Sequence, residues 1–551
     1  MTTETVTGKE TAVVKPRQTL MSGRRKRLLK ENLTAYLFLL PAFFIVFTFG
    51  IFPILFAGYV STYKWRIKQN EWRGLENYVS AMGDVAYVFF FAIAVALAGY
   101  GIYTAIKAAK EAKKKSLPYY TPLISLIPAA FITFGLIHLL LRAITFFAWE
   151  EAIAAGEAAR LGNVGLGIGA IVVGLLLSLG VQYIQPRLAK DKSIRILPNF
   201  TGAAVAMLIT LGSAYVLTNF VISELQRSER YGLAVVRVQY LTVAVLIIIA
   251  GYVVWNWGTK QQSTWKFVLS IIGATILLAG GIWLATIWPV VSMDSDADFY
   301  QSLSVTIWYS LLTVPVQLAI AMVLAYLLFQ NLRAKGMFRI LFFIPYIAPA
   351  VATAGIFQVL FNLRPTSIAN QLIGATTADT ALRWIREPGY AISVLGQYVG
   401  IESAAGWEFG PSLALIVVIL FNIWVFVGYD TVIFLAGLGN IPYSLYEAAK
   451  IDGAGTWQIF RNITLPLLSP TTYFLSVISI IGTFKAFNHI YILRQPEAQG
   501  TIDAASVHFF VTFQRAQRFG YSTSMAIVLF VIILVLYLLQ NRIAAKSVHY
   551  G

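Results

Sequence analysis

Long apolar runs alternate with short polar segments along most of the 551 residues. Many runs reach about 20 residues, the length a helix needs to cross roughly 30 Å of hydrocarbon. They predict an all-α polytopic membrane protein of about twelve spans, near 34–62, 85–106, 119–147, 164–184, 200–222, 235–257, 265–290, 302–329, 337–363, 411–438, 471–493 and 522–541. Residues 1–32 are polar, with Arg24, Arg25, Lys26, Arg27 and Lys30 just before the first run. A signal peptide has a similar charge layout, but its apolar core is only about 7–15 residues long. The run over 33–59 is longer and has no small-residue cleavage pattern at its end, so a retained first span is expected.

The loops test the orientation independently, because cytoplasmic loops carry an excess of Lys and Arg. With the N-terminus cytoplasmic, every second loop should be basic. Those loops hold Lys107, Lys110, Lys113, Lys114 and Lys115; Arg187, Lys190, Lys192 and Arg195; Lys260 and Lys266; Arg333, Lys335 and Arg339; Lys450 and Arg461; and Arg542 and Lys546. The opposite loops are acidic or mixed, as with Glu150, Glu151 and Glu157, or Asp294, Asp296 and Asp298. The first outer loop, with Lys64, Arg66, Lys68 and Arg73, dissents. Both termini and the 439–470 loop are therefore expected in the cytoplasm.

Composition agrees with this pattern. The chain is 58% hydrophobic and 12% charged, with a mean hydropathy of +0.71, whereas a soluble domain is about 45–50% apolar and a quarter charged. The net charge of +17 is accounted for by the basic loops, so no nucleic-acid partner is expected. The absence of cysteine removes disulfides, thiolate nucleophiles and cysteine metal sites. The four histidines, His138, His489, His508 and His549, are not at ligand spacing, and no metal centre is expected.

The most informative loop is 441–466, which reads as a short helix, a break and a second short helix. Ser444 followed by Glu447 has the spacing of a capping box, and Leu445, Ala448, Ala449 and Asp452 continue at helical spacing. Gly453 and Gly455 can take the positive φ that stops a helix. Ile459 and Ile463 give the second piece an apolar side, and Pro466 is expected to end it. Such a helix–turn–helix suits docking into a groove on a soluble partner.

The order Glu447-Ala448-Ala449, three residues, Gly453, nine residues, then Ile463-x-Leu465-Pro466 resembles the EAA loop of binding-protein-dependent ABC importer permeases, the MetI-like transmembrane family. The preceding Leu435-Ala-Gly-Leu-Gly-Asn-Ile-Pro-Tyr-Ser-Leu-Tyr446 and Asp452-Gly-Ala454 resemble its carbohydrate branch, typified by maltose and glycerol-phosphate permeases. The resemblance implies that this loop seats in a cleft of an ATPase subunit. Glu447 would pair with a basic group there, and Gly453 would allow close packing and the turn. Ile463, Leu465 and Pro466 would anchor the loop to the next span.

The resemblance extends over 34–84 and about 299–548. Arg73-Gly-Leu-Glu-Asn-Tyr78, Asp298-Phe-Tyr-Gln-Ser-Leu-Ser-Val-Thr306, Ile344-Pro-Tyr-Ile-Ala-Pro349 and Phe519-Gly-Tyr-Ser-Thr-Ser-Met-Ala526 look like the family's corresponding segments. Arg494-Gln-Pro-Glu-Ala-Gln-Gly500 stands where the family usually has a Gly-rich turn. The implied organisation is a basic cytoplasmic segment (1–33), a first core span and outer loop (34–84), an inserted transmembrane bundle (85–290), and the permease core (299–551). The six-helix core thus gains about six inserted helices. The insert carries no motif with chemistry, and its residues allow an accessory lipid-facing bundle, partner docking or regulation.

The family implies a bacterial cytoplasmic (inner) membrane protein. Its partners would be a second permease subunit, ABC ATPase subunits, an extracytoplasmic solute-binding protein and membrane lipid. No G-x-x-x-x-G-K-[ST] phosphate loop occurs, so nothing here cradles ATP phosphates, and a partner subunit would bind ATP. No cofactor of its own and no catalytic residue is expected.

Polar groups inside spans are costly and mark site candidates. Asn422 and Trp424 in the tenth span, and Lys485, Phe487, Asn488 and His489 in the eleventh, supply hydrogen-bonding groups and aromatic faces for a sugar path. Hydrogen bonding between helices, with Lys485 reaching the interface along its stem, is the competing explanation; His138 reads as a packed helix contact. A secondary carrier would often show two similar halves, but the EAA-like loop occurs once and 107–118 lacks Gly-x-x-x-Asp-Arg. A membrane enzyme would call for paired acids near an interface, and Glu150 with Glu151 reads better as part of a solvated loop. The sequence does not name the solute: a monosaccharide, an oligosaccharide, a polyol or a glycerol phosphodiester would each fit.

Overall fold

The computed structural model describes residues 23–66, 69–114, 117, 121–147, 164–188, 200–258, 295–330, 333–375, 377–401 and 408–547, with scattered positions over 265–280. Most of the span expected at 265–290 therefore lies outside the described residues. So do Lys68, Lys115, Glu150, Glu151, Glu157, Lys190, Lys192, Arg195, Lys260, Lys266 and Asp294. The chain forms two compact units, Met1–Gly58 and Tyr59–Gly551.

In the first unit, α1 (Gly23–Val46) runs through a π turn at Phe47–Ile51 into α2 (Phe52–Ser61), whose last residues, from Tyr59, belong to the second. The Phe52 N–H donates to the Phe47 carbonyl, and Pro53 follows. A proline has no N–H, and its ring crowds the carbonyl four residues back. A wider i→i+5 turn makes room for the ring and keeps the apolar segment helical.

The second unit opens with a short hairpin, β1 (Tyr63–Trp65) and β2 (Gln69–Trp72), then α3 (Glu76–Met82). The stretch read as an insert follows as α4 (Val85–Lys114), α5 (Thr121–Ile124), α6 (Leu126–Phe147), α7 (Val164–Leu188), α8 (Thr201–Arg227) and α9 (Tyr231–Gly258). Next come α10 (Ala297–Phe329), α11 (Lys335–Ile347), α12 (Ala350–Leu360), α13 (Ile368–Leu372), α14 (Ala391–Tyr398) and α15 (Leu413–Gly439). Among the described residues, nine helices are long and apolar enough to cross a membrane, and two bent pairs raise the number to eleven.

Two expected spans are not straight. The one expected at 337–363 bends by 95° between α11 and α12. Pro349 holds Ala348 in an extended conformation, φ −64° and ψ 144°, because a proline disfavours helical geometry in the residue before it. The one expected at 471–493 is α19 (Ser469–Phe484) and α20 (Asn488–Leu493), with the chain broken between them.

Helices α4, α8 and α9 join the rest of the unit. Tyr78, Tyr87, Val221, Phe299, Tyr521 and Met525 share one buried cluster, which links α3, α4, α8 and α10 to α22 (Phe519–Ser547). Polar contacts border it. Arg237 of α9 pairs with Asp84 at 3.1 Å, and a Glu224 carboxylate oxygen of α8 accepts from the Leu75 N–H at 3.3 Å. Asn77 donates to the carbonyls of Ser61 and Tyr63 at 2.8 and 3.0 Å, and burial pushes the Tyr78 hydroxyl up to about 12. Helices α6 and α7 come close enough that Gly135 lies against the Gly167 carbonyl.

Helix α15 comes very close to α11. Any Cβ at Gly428 would overlap the Phe342 carbonyl, so only glycine lets the helices meet here. Gly428→Val is expected to destabilise the chain by about 1–3 kcal/mol, the usual cost of overpacking. Thermal unfolding in detergent should show a lower midpoint, and an unchanged one would mean that the helices separate freely.

Candidate functional site: an exposed helical turn and an intramembrane cavity

The 441–466 loop folds as a helix pair, as its spacing suggests, with different ends. The first helix, α16 (Tyr443–Ile451), has Pro442 at its N-cap and no side-chain cap. Ser444 therefore lies inside the first turn, and the expected capping box with Glu447 does not form. Proline, whose fixed φ suits a helix start, takes the boundary position instead. At the other end Gly453 has φ +78°. Its N–H donates to the Lys450 carbonyl at 3.1 Å and the Ala454 N–H to that of Ala449 at 2.9 Å, the Schellman pattern that satisfies helix-end carbonyls. Gly455, also expected at positive φ, instead has φ −71° and caps α17 (Thr456–Ile459). Its N–H donates to Gln458 Oε1 at 2.8 Å.

Pro466 does not end the second helix. A π turn at Phe460–Thr464 leads into α18 (Leu465–Leu467), with Leu465 N–H donating to the Phe460 carbonyl. This repeats the arrangement before Pro53, for the same steric reason. The change of direction comes later, with a 61° bend between Thr456–Leu467 and Ser469–Phe484.

The pair buries one side and offers the other. Ile459 and Thr464 are buried, the Phe460 ring meets Tyr326 of α10 edge-on at 5.1 Å, and the Tyr446 hydroxyl lies 3.3 Å from Thr464 Oγ1. Leu468 is fully buried against α10 and α15. Outward, Ile451 is 86% exposed, Trp457 68% and Tyr443 64%. Glu447, Ala448, Asp452 and Gly453 are exposed beside them, Ala449, Ile463 and Pro466 are half-buried, and Leu465 is 41% exposed. The result is a carboxylate-bearing apolar surface on a rigid turn.

A cavity of about 380 Å³ lies among α10, α11, α12, α15 and the α19–α20 break. Its walls include Asn422, Asp430, Lys485, Phe487, Asn488 and His489. The break puts Lys485 and Phe487 on non-helical backbone rather than inside a continuous span, a departure tolerated at membrane depth only where it is enclosed or lines a cavity. Trp424 is not among the walls; its ring packs on Phe357 at 5.4 Å. Five of the six expected path residues, Asn422, Lys485, Phe487, Asn488 and His489, are thus brought together.

Behind Asn422 runs a buried polar chain that sequence reasoning missed. Tyr309 donates to Asn422 Oδ1 at 2.8 Å, Asn422 Nδ2 to Gln317 Oε1 at 2.9 Å, and Gln317 Nε2 to Asp430 Oδ2 at 2.6 Å. His489 Nε2 lies 2.7 Å from the Tyr309 oxygen. The signal was present: Asn422 and Asp430 are eight residues apart in an apolar helix, as are Tyr309 and Gln317, and such pairs share a helix face. Elsewhere, the 494–500 loop is fastened by Arg494, whose Nε and Nη2 donate to the Asp503 carboxylate at 2.7 and 2.6 Å.

Residues 317–548 match the family described as binding-protein-dependent transport system inner membrane component. A probable ABC transporter permease protein, YesP of Bacillus subtilis, is 34% identical over 260 residues, covering 46% of this chain and 75% of the relative. The lactose transport system permease protein LacF of Rhizobium radiobacter is 29% identical, over 46% of this chain and 78% of the relative. The arabinooligosaccharides transport system permease protein AraP of Bacillus subtilis is 31% identical, over 46% and 74%.

Replacing Asn422 with Leu would remove the acceptor of the Tyr309 hydroxyl and the donor to Gln317 Oε1. A loss of about 1–2 kcal/mol is expected, within the range for unmade buried hydrogen bonds. The check is chemical denaturation in mixed micelles, where Asn422→Leu combined with Gln317→Leu should cost less than the sum of the single changes.

Proposed function

The chain belongs to the family of binding-protein-dependent transport system inner membrane components, and we propose that it is the membrane-spanning permease subunit of an ATP-driven importer that moves a carbohydrate inward across the cytoplasmic membrane. It works with a second permease subunit, ABC ATPase subunits and an extracytoplasmic solute-binding protein. It has no phosphate loop, carries out no chemical step itself, and leaves ATP to its partners. Both termini and the 441–466 turn face the cytoplasm, where the basic loops lie.

The observation that carries this reading is that the exposed turn and the cavity share their helices. Helix α15 leads into the turn and α19 leads out of it. The cavity walls include Phe421, Asn422, Phe426 and Asp430 from α15, and Ser479 and Thr483 from α19. A rigid-body push on the turn therefore reaches the cavity without passing through a flexible linker. Hydrogen-bonding Asn422 and Asn488, with the aromatic faces of Phe426 and Phe487, suit a hydroxylated ring. The relatives named for lactose and arabinooligosaccharides support the same solute class.

On the turn, Glu447, Ala448, Ala449, Asp452 and Gly453 form the ATPase-facing part, while Ile463, Leu465 and Pro466 tie it to α19. Gly453→Asp puts a side chain where φ is +78°, a conformation that costs a non-glycine residue about 1–2 kcal/mol. Glu447→Lys reverses the exposed charge. Both variants should insert normally and lose most of the ATPase on co-purification, at least about tenfold, the factor for 1.4 kcal/mol. Undiminished retention in both would reduce the turn to a structural element and favour transport driven by an ion gradient.

A further inference from the structure

The buried polar chain has a direction. Asp430, as a carboxylate, can only accept a hydrogen bond, and it receives the Gln317 amide N–H at 2.6 Å. Gln317 is thereby turned so that its oxygen faces Asn422, whose Nδ2 donates to it at 2.9 Å. Asn422 is turned in the same way, and its oxygen accepts the Tyr309 hydroxyl at 2.8 Å. A hydroxyl has one proton to give. With that proton on Asn422, the Tyr309 oxygen can only accept from His489 Nε2, 2.7 Å away.

We infer that the Asp430–Gln317–Asn422–Tyr309 chain holds His489 as the neutral Nε2–H tautomer, so that its Nδ1 is a hydrogen-bond acceptor for a hydroxyl of the transported solute. His489 lines the cavity and is half-buried. Its ring is stacked on Phe421 at 5.2 Å between centroids, with the planes 22° apart, which fixes the imidazole plane. An acceptor here selects solutes that donate, and the neutral polyhydroxylated class does so at every carbon bearing OH. Tyr309 and Gln317 are then positioning residues, acting on the solute only through His489. The identity of the ligand rests on the importer reading; the tautomer does not.

The test is nitrogen-15 NMR of the full chain in lipid bilayers with labelled histidine, the His489 signals being identified by their loss in His489→Gln. No solute or ATPase is added, so the outcome is independent of whether the chain imports carbohydrate. The wild type should show a protonated Nε2 and an unprotonated Nδ1, with the other tautomer at least about tenfold less populated, a factor in keeping with one buried hydrogen bond. Tyr309→Phe removes the acceptor, and the Nδ1–H tautomer should rise to a comparable population. Gln317→Leu, which does not touch His489, should move the ratio in the same direction by freeing Asn422 to turn over, and it keeps the test decisive if Tyr309→Phe fails to fold. A protonated Nδ1 in the wild type, a doubly protonated ring, or a ratio unmoved by Gln317→Leu would overturn the inference.

Discussion

Inside hydrocarbon a polar side chain has no water to turn to and must find its partner within the protein. That constraint sets how α10 and α15 meet. Tyr309 and Gln317 on one helix, and Asn422 and Asp430 on the other, are each two turns apart, and they interleave as Tyr309–Asn422–Gln317–Asp430. A slip of either helix by one turn would leave several of these groups unpaired at once. The ladder therefore specifies register where the surrounding apolar contacts would tolerate a shift, and beside it Thr431 donates weakly, at 3.4 Å, to the Ala321 carbonyl of α10 and, at 2.7 Å, to the Val427 carbonyl within α15.

The same helix runs from the cavity wall to the exposed turn. Helix α15 is packed against α11 at Gly428, bonded to α10 through the ladder, and buried at its end by Leu435 and Leu438 against Leu468. Two-thirds of its most apolar window is buried inside the protein, a larger share than in any other straight span among the described residues. It is a strut between the exposed turn and the cavity wall. Prolines shape what surrounds it: Pro349 bends the chain between α11 and α12, while Pro466 widens a turn and lets the second helix of the pair continue toward α19.

Helices α4–α9 are held differently. Their apolar sides are largely exposed, with Leu176, Leu233 and Leu246 near 60%, as suits contact with lipid. They grip the rest of the unit through the Arg237–Asp84 ion pair and the buried cluster around Tyr78 and Tyr87. The segment they brace, 74–84, is bonded in turn to the hairpin at Tyr63 through Asn77, and to α22 through Ser524.

Apolar run length was enough to determine that this is an all-α membrane protein and where most of its spans lie, because the cost of exposing backbone and polar groups to hydrocarbon acts residue by residue. The 441–466 turn was legible for a similar reason. Glycine at positive φ and residues at helical spacing are local features, and Gly453 is where they place it. Local rules misjudged the ends: Ser444 could cap and Pro466 could terminate, but Pro442 had already started the helix, and a π turn accommodates the later proline. Run length also could not reveal that two spans break, since the continuity of an apolar segment says nothing about its direction. Asn422, Asn488 and Lys485 could be picked out as polar residues in apolar surroundings, whereas Trp424 shows that residue type does not decide which way a side chain faces. Only the tertiary structure joined Asp430, Gln317 and Tyr309 to His489, because those partners lie more than a hundred residues apart on separate helices and hydrogen bonding depends on the register that packing sets.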